Sequence, residues 1–104
     1  MFSYTATIGR NVGTEPMTIT LWKQFEEDVQ ADMLTALPSD IVEVHYGKGV
    51  WDGVEEESAK ITLLRHAEAT PDMLDQLRRY LSENARLCDQ DAIALTIGVS
   101  ELCI

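Results

Sequence analysis

The sequence is short of cysteine, of long apolar runs and of positive charge, and each shortage excludes something. Cysteine occurs only at Cys88 and Cys103. The two lack the close spacing of a zinc motif or a disulfide framework, and neither His45 nor His66 stands in a metal spacing with them. No apolar run approaches the ~20 residues needed to cross a bilayer. The opening Met1-Phe2-Ser3-Tyr4 lacks the basic and apolar regions of a secretory signal. The expectation is a cytoplasmic chain with reduced thiols, in which both cysteines act as small apolar fillers.

Basic residues number 8 against 18 acids, a net charge of −10. A surface this negative repels nucleic acid and anionic lipid, so no direct nucleic-acid or membrane partner is expected. The acid surplus serves solubility or presents a negative face to a basic protein partner. The hydrophobic share of 45% and charged share of 25% exclude disorder, and 104 residues suffice for one core and a single domain, 1–104.

What is present is an alternation of two periods. Phe2, Tyr4, Ala6 and Ile8 alternate with Ser3, Thr5 and Thr7, which predicts a first strand. Gly9 to Gly13 reads as a loop. From an N-cap at Thr18, the residues Trp22, Phe25, Val29, Met33 and Leu37 recur every three or four positions, a helix that Pro38 stops. Val42, Val44 and Tyr46 alternate again, and Gly47 to Glu57 reads as a glycine-rich loop. Ala59, Ile61 and Leu63 mark the third strand. Thr70-Pro71-Asp72 opens a second helix buried through Leu74, Leu77 and Leu81. Ile93, Leu95, Ile97 and Val99 form the inward side of the last strand. This order, β-α-β-β-α-β, predicts a ferredoxin-like α+β fold, a four-stranded antiparallel sheet with two helices on one face.

The uncovered face would carry Ser3, Thr5, Thr7, Glu43, His45, Lys60, Thr62, Leu64, Ala94 and Thr96. It lacks the stacking aromatics of single-stranded RNA readers. Either it is solvated, or two copies pair face to face as a homodimer around a small cavity.

Several residues stand out as candidates. Trp51, set among Gly47, Gly49 and Gly53, has the amphipathic bulk typical of binding hot spots, or folds back over the core. Arg10 and Asn11, beside glycines, suit a small anionic ligand, although the segment is no phosphate-binding loop. Glu55, Glu56 and Glu57 are consecutive, whereas calcium loops alternate their ligands, so a solvated loop is expected and no metal or cofactor. His45, with Glu43 and Lys60 beside it, is the minimal set to which acid–base chemistry would look first. No spacing among these residues is diagnostic of catalysis.

The chain resembles small uncharacterised proteins of bacteriophages and some bacteria. The resemblance rests on Tyr4-Thr5 through Ile8-Gly9-Arg10-Asn11, on Met17-Thr18 with Trp22 and Phe25, and on Gly49-Val50-Trp51-Asp52-Gly53 leading to Glu56-Glu57-Ser58. The proline opening the second helix and Gln90-Asp91-Ala92-Ile93 also agree. A secreted bacterial domain of unknown function has the same element order. The resemblance brings no activity. It implies a phage-type accessory protein acting in the host cytoplasm, and a non-enzymatic binding role. Such a protein would inhibit host defence, anti-CRISPR included, as an acidic nucleic-acid mimic or by sequestering a nucleotide. The alternative is a small dimeric α+β barrel enzyme acting in an inter-subunit cavity.

Overall fold

The computed structural model describes residues 1–51, 53–90 and 93–99. Strand β1 (Phe2–Gly9) buries Tyr4, Ala6 and Ile8 and leaves Ser3, Thr5 and Thr7 half-buried on its other side. It runs inside the sheet, antiparallel to both of its neighbours, β5 (Val54–Arg65) and β6 (Ala94–Val99). Strand β4 (Ile41–Trp51) adds outside β5, giving the order β4-β5-β1-β6. Helices α1 (Ile19–Ala36) and α2 (Pro71–Leu87) close one face, so the fold is the expected α+β arrangement.

Local chemistry sets the helix ends. The Thr18 hydroxyl accepts the Leu21 N–H at 3.3 Å, and the Thr70 hydroxyl accepts the Met73 N–H at 3.2 Å, so each N-cap satisfies an otherwise orphaned donor. Pro71 opens α2, with Asp72 in its first turn and Arg86 in its last, both favourable to the helix dipole. The residue before Pro38 is pushed out of helical space, and α1 ends at Ala36 with Leu37 as its cap.

Trp22, Phe25, Val29 and Met33 of α1 meet Leu77 and Leu81 of α2 over Ala59, Ile61 and Leu63 of β5. Each fully buried aliphatic side chain contributes about 1.5–3 kcal/mol of transfer free energy. Asn84, 6% exposed, donates to Asp32 Oδ2 at 2.7 Å and to the Tyr80 carbonyl at 2.9 Å, which ties the two helices together. Among the described residues no helix is long and apolar enough to cross a membrane.

Three expectations need correction. The segment from Gly9 to Gly13 is not a plain loop: β2 (Asn11–Val12) and β3 (Glu15–Pro16) form a miniature hairpin that turns at Gly13, whose φ is 63°. The glycine-rich stretch after Tyr46 is not a loop either. It continues β4 to Trp51 and resumes as β5 at Val54, because Glu55, Glu56 and Glu57 pair in register with Val50, Gly49 and Lys48. The inward side of the last strand is only partly inward. β6 lies at the sheet edge, and Ile97 and Val99 are 46% and 73% exposed.

Tyr4 generates a test. Its hydroxyl, on a side chain 1% exposed, accepts the buried Ala69 N–H at 2.8 Å and so fixes the approach to α2. Tyr4→Phe strands that donor and is expected to lower stability by about 1–3 kcal/mol in denaturant unfolding. An unchanged midpoint would mean that the N–H has another partner.

Candidate functional site

β1 stops pairing with β5 at Gly9 and Ser58, so residues 48–51 and 54–57 form a two-stranded ribbon that projects past the sheet. Gly53, with φ 76°, supplies the positive angle at the tip of this ribbon. Side chains alternate along it. With Ala59, Ile61 and Leu63 facing the helices, Glu55 and Glu57 share that side and Glu56 takes the other. By the same count Val42, Val44, Tyr46 and Lys48 of β4 face the helical side.

The acids are engaged with the corner after β1, not free in a solvated loop. The Arg10 N–H donates to the Glu57 carbonyl at 3.0 Å and its Nη1 to Glu57 Oε2 at 2.7 Å, while its Nε holds the Met17 carbonyl at 2.8 Å. The Asn11 N–H donates to Glu56 Oε2 at 2.9 Å, and Lys48 Nζ lies 3.5 Å from Glu55 Oε1. Glu56 lies across Gly9 so closely that a Cβ there would sit 2.5 Å from Glu56 Oε1. Two sets of candidates that the sequence presents separately, Arg10 with Asn11 and Glu55 to Glu57, are therefore one cluster of mutual partners.

Beside this corner lies a cavity of about 440 Å³, within the range of small-molecule sites. Its walls come from Ile19, Trp22, Lys23 and Glu26 of α1, Tyr46, Gly47 and Lys48 of β4, and Glu57 and Ser58 of β5. Trp22, 4% exposed, is its floor, whereas Tyr46 is 68% exposed. The Glu26 carboxylate lies by the Tyr46 hydroxyl: hydrogen bonding to it first, then partial burial and the Glu26 charge, push the phenol pKa above its usual value. An indole, a phenol, two carboxylates and two ammonium groups converge here. Aromatic faces and carboxylates suit a cation, and the lysines suit a carboxylate.

Tyr46, Trp22, Lys23 and Glu26 are the residues that sequence reasoning missed. Tyr46 reads as core by its alternation, and Trp22 and Glu26 are one helical turn apart, the only sequence signal that they share a wall. His45 does not line this cavity. It sits on the uncovered sheet face, exposed, with Nε2 3.5 Å from Glu43 Oε2 and with Lys60 opposite on β5. On the same face the Thr5 and Thr62 hydroxyls bond at 2.8 Å. Trp51 is the last residue of β4, and its side chain lies outside the described residues, as do Asp52, Asp91, Ala92 and Cys103. Cys88 is a free thiol at the C-cap of α2. Among the described residues no three His, Cys, Asp or Glu side chains converge to hold a metal.

Two titrations follow from these surroundings. Tyrosinate absorbance of the wild type, less that of Tyr46→Phe, is expected to rise at higher pH than that of a free tyrosine. In Glu26→Gln the lag should shrink, and an unchanged lag would remove Glu26 as its cause. Burial first, then the charges of Asp28 and Asp89, raise the Cys88 pKa. Its alkylation near neutral pH is therefore expected to run slower than that of a free thiol and to speed up as pH rises, since the thiolate is the nucleophile.

No family model matches the sequence, and no curated protein does. Two solved structures share its fold. One is a phage SAM lyase in complex with S-methyl-5'-thioadenosine, 19% identical, with 93% of this chain and 79% of that chain covered at a TM-score of 0.68. The other is a phage SAM lyase in its apo state, 24% identical, with 93% and 78% covered at a TM-score of 0.65. At these identities the likeness establishes the fold.

Proposed function

We propose that the chain takes an adenosyl sulfonium of the SAM class into the cavity between α1 and β4, and cleaves it to S-methyl-5'-thioadenosine. The observation that carries this reading is the convergence of Trp22, Tyr46, Glu26, Glu57, Lys23 and Lys48 on one small-molecule-sized cavity. SAM combines an aromatic base, a sulfonium, an ammonium and a carboxylate, and each has its complement in that set. Further support comes from the two structurally similar chains, which are SAM lyases, one of them holding S-methyl-5'-thioadenosine.

In the cleavage, the bond from sulfur to the four-carbon amino-acid chain breaks and its electron pair stays on sulfur. The cation becomes a neutral thioether. The four-carbon fragment closes on its own carboxylate oxygen, which balances the charge without an external base. Tyr46, exposed in the cavity wall, supplies an aromatic face for the base or the sulfonium.

A second reading is retention of the same ligand without turnover. The same convergence of complements supports it, since binding requires nothing beyond that set. Removing SAM by either route would suit a phage-type accessory protein that inhibits a methylation-dependent host defence. A charge mimic would have to present Glu55, Glu56 and Glu57 to a basic partner, and those carboxylates are already engaged by Lys48, Asn11 and Arg10.

Incubation of the purified protein with SAM, followed by chromatography and mass spectrometry, tests both readings. The expected product is S-methyl-5'-thioadenosine, and its rate of formation should fall about tenfold or more in Tyr46→Ala, which removes the aromatic face. Tight binding without product would establish retention. A protein that neither binds nor cleaves SAM sinks the reading of the cavity.

A further inference from the structure

The geometry points to Arg10 as a positioning residue for the cavity, although Arg10 does not line it. The inference rests on the reading of the cavity as a ligand site. Glu57 is in the cavity wall, but it stands on the ribbon beyond the last residue that β1 pairs, so the sheet does not fix its side chain. Lys48, directly across from it, lies 3.5 Å from Glu55 Oε1 instead. Arg10 holds Glu57: Nη1 reaches Oε2 at 2.7 Å, and the pair is 20% and 45% exposed at the side chains.

Arg10 is itself pinned. Its N–H bonds the Glu57 carbonyl at 3.0 Å, its carbonyl accepts the Met17 N–H at 2.8 Å, and its Nε donates to the Met17 carbonyl at 2.8 Å. Two directions of the guanidinium fork are thereby assigned, one to the backbone entering α1 and one to the carboxylate. Lysine cannot reproduce this, because its single ammonium lacks the planar fork. Among the described residues Glu57 Oε1 accepts no hydrogen bond, so one oxygen is anchored and one is open to a ligand. Rotamer freedom that Glu57 would otherwise lose on binding is already removed in the unliganded chain.

Isothermal titration with S-methyl-5'-thioadenosine tests the role, with folding followed by thermal melting. Arg10→Met is expected to weaken binding about tenfold, on the scale of one charge-assisted hydrogen bond, and Arg10→Lys less. The double variant Arg10→Met/Glu57→Ala should bind no more weakly than Glu57→Ala alone, since Arg10 acts through Glu57. Wild-type affinity in Arg10→Met, or a loss that adds in full to that of Glu57→Ala, overturns the proposal. Should Arg10→Met fail to fold, Arg10→Lys decides: weakened binding supports the role and unchanged binding overturns it. A wild type that binds neither S-methyl-5'-thioadenosine nor SAM overturns the cavity reading and this role with it. Binding that persists without Arg10 overturns the role alone.

Discussion

A slip of β5 by one residue would turn Ala59, Ile61 and Leu63, all at 0% exposure, out of the core. Its register is held from both sides, with Ile61 opposite Ala6 of β1 and Val44 of β4. The rest of the site follows from that parity. Two residues outward from Ala59, Glu57 must fall on the helical side, within reach of Arg10. Glu56 must fall on the other side, where Gly9 has no side chain to block it. Tyr46, opposite Ala59, must face α1. Core packing thus places polar groups that are not themselves in the core.

Lengths explain why those groups meet a cavity rather than a packed layer. α1 has 18 residues and spans roughly 27 Å, whereas β5 has 12 residues and spans roughly 40 Å. The sheet outruns the helix that covers it, and the surplus is the β4–β5 ribbon. At the boundary the inward side of β4 changes character. Val42 and Val44 are partly buried against the core, but Tyr46 is exposed and Val50 is 74% exposed. The cavity is the step where one layer ends and two strands continue.

Much of the fold was legible because its determinants are local. Thr18 and Thr70 announce helix starts through their own hydroxyls, Pro38 and Pro71 act on their immediate neighbours, and the stripe from Trp22 to Met33 records the helical period directly. The ribbon was illegible for the opposite reason. Gly47 and Gly49 are poor strand residues taken alone, and what makes them strand is pairing with Ser58 and Glu56. The ties of Arg10 and Asn11 to the acid run span more than forty positions, 47 and 45 for two of the bonds, and no periodicity reports such contacts. Period two showed correctly that consecutive acids diverge, but it did not show what each one meets.

The same limit bears on the structural likeness. A shared chain path at 19% and 24% identity carries over the fold, not the side chains that fill the step beside the ribbon. In this chain the filling is an exposed phenol beside Glu26, a buried indole, and a carboxylate held by Arg10 from outside the cavity. The acid surplus of the whole chain says little about that spot, where lysines and carboxylates stand side by side. In the proposed site, affinity would depend on which charges are already committed within the protein. Arg10, outside the cavity and just past the end of β1, holds Glu57 Oε2, and among the described residues Oε1 has no hydrogen bond.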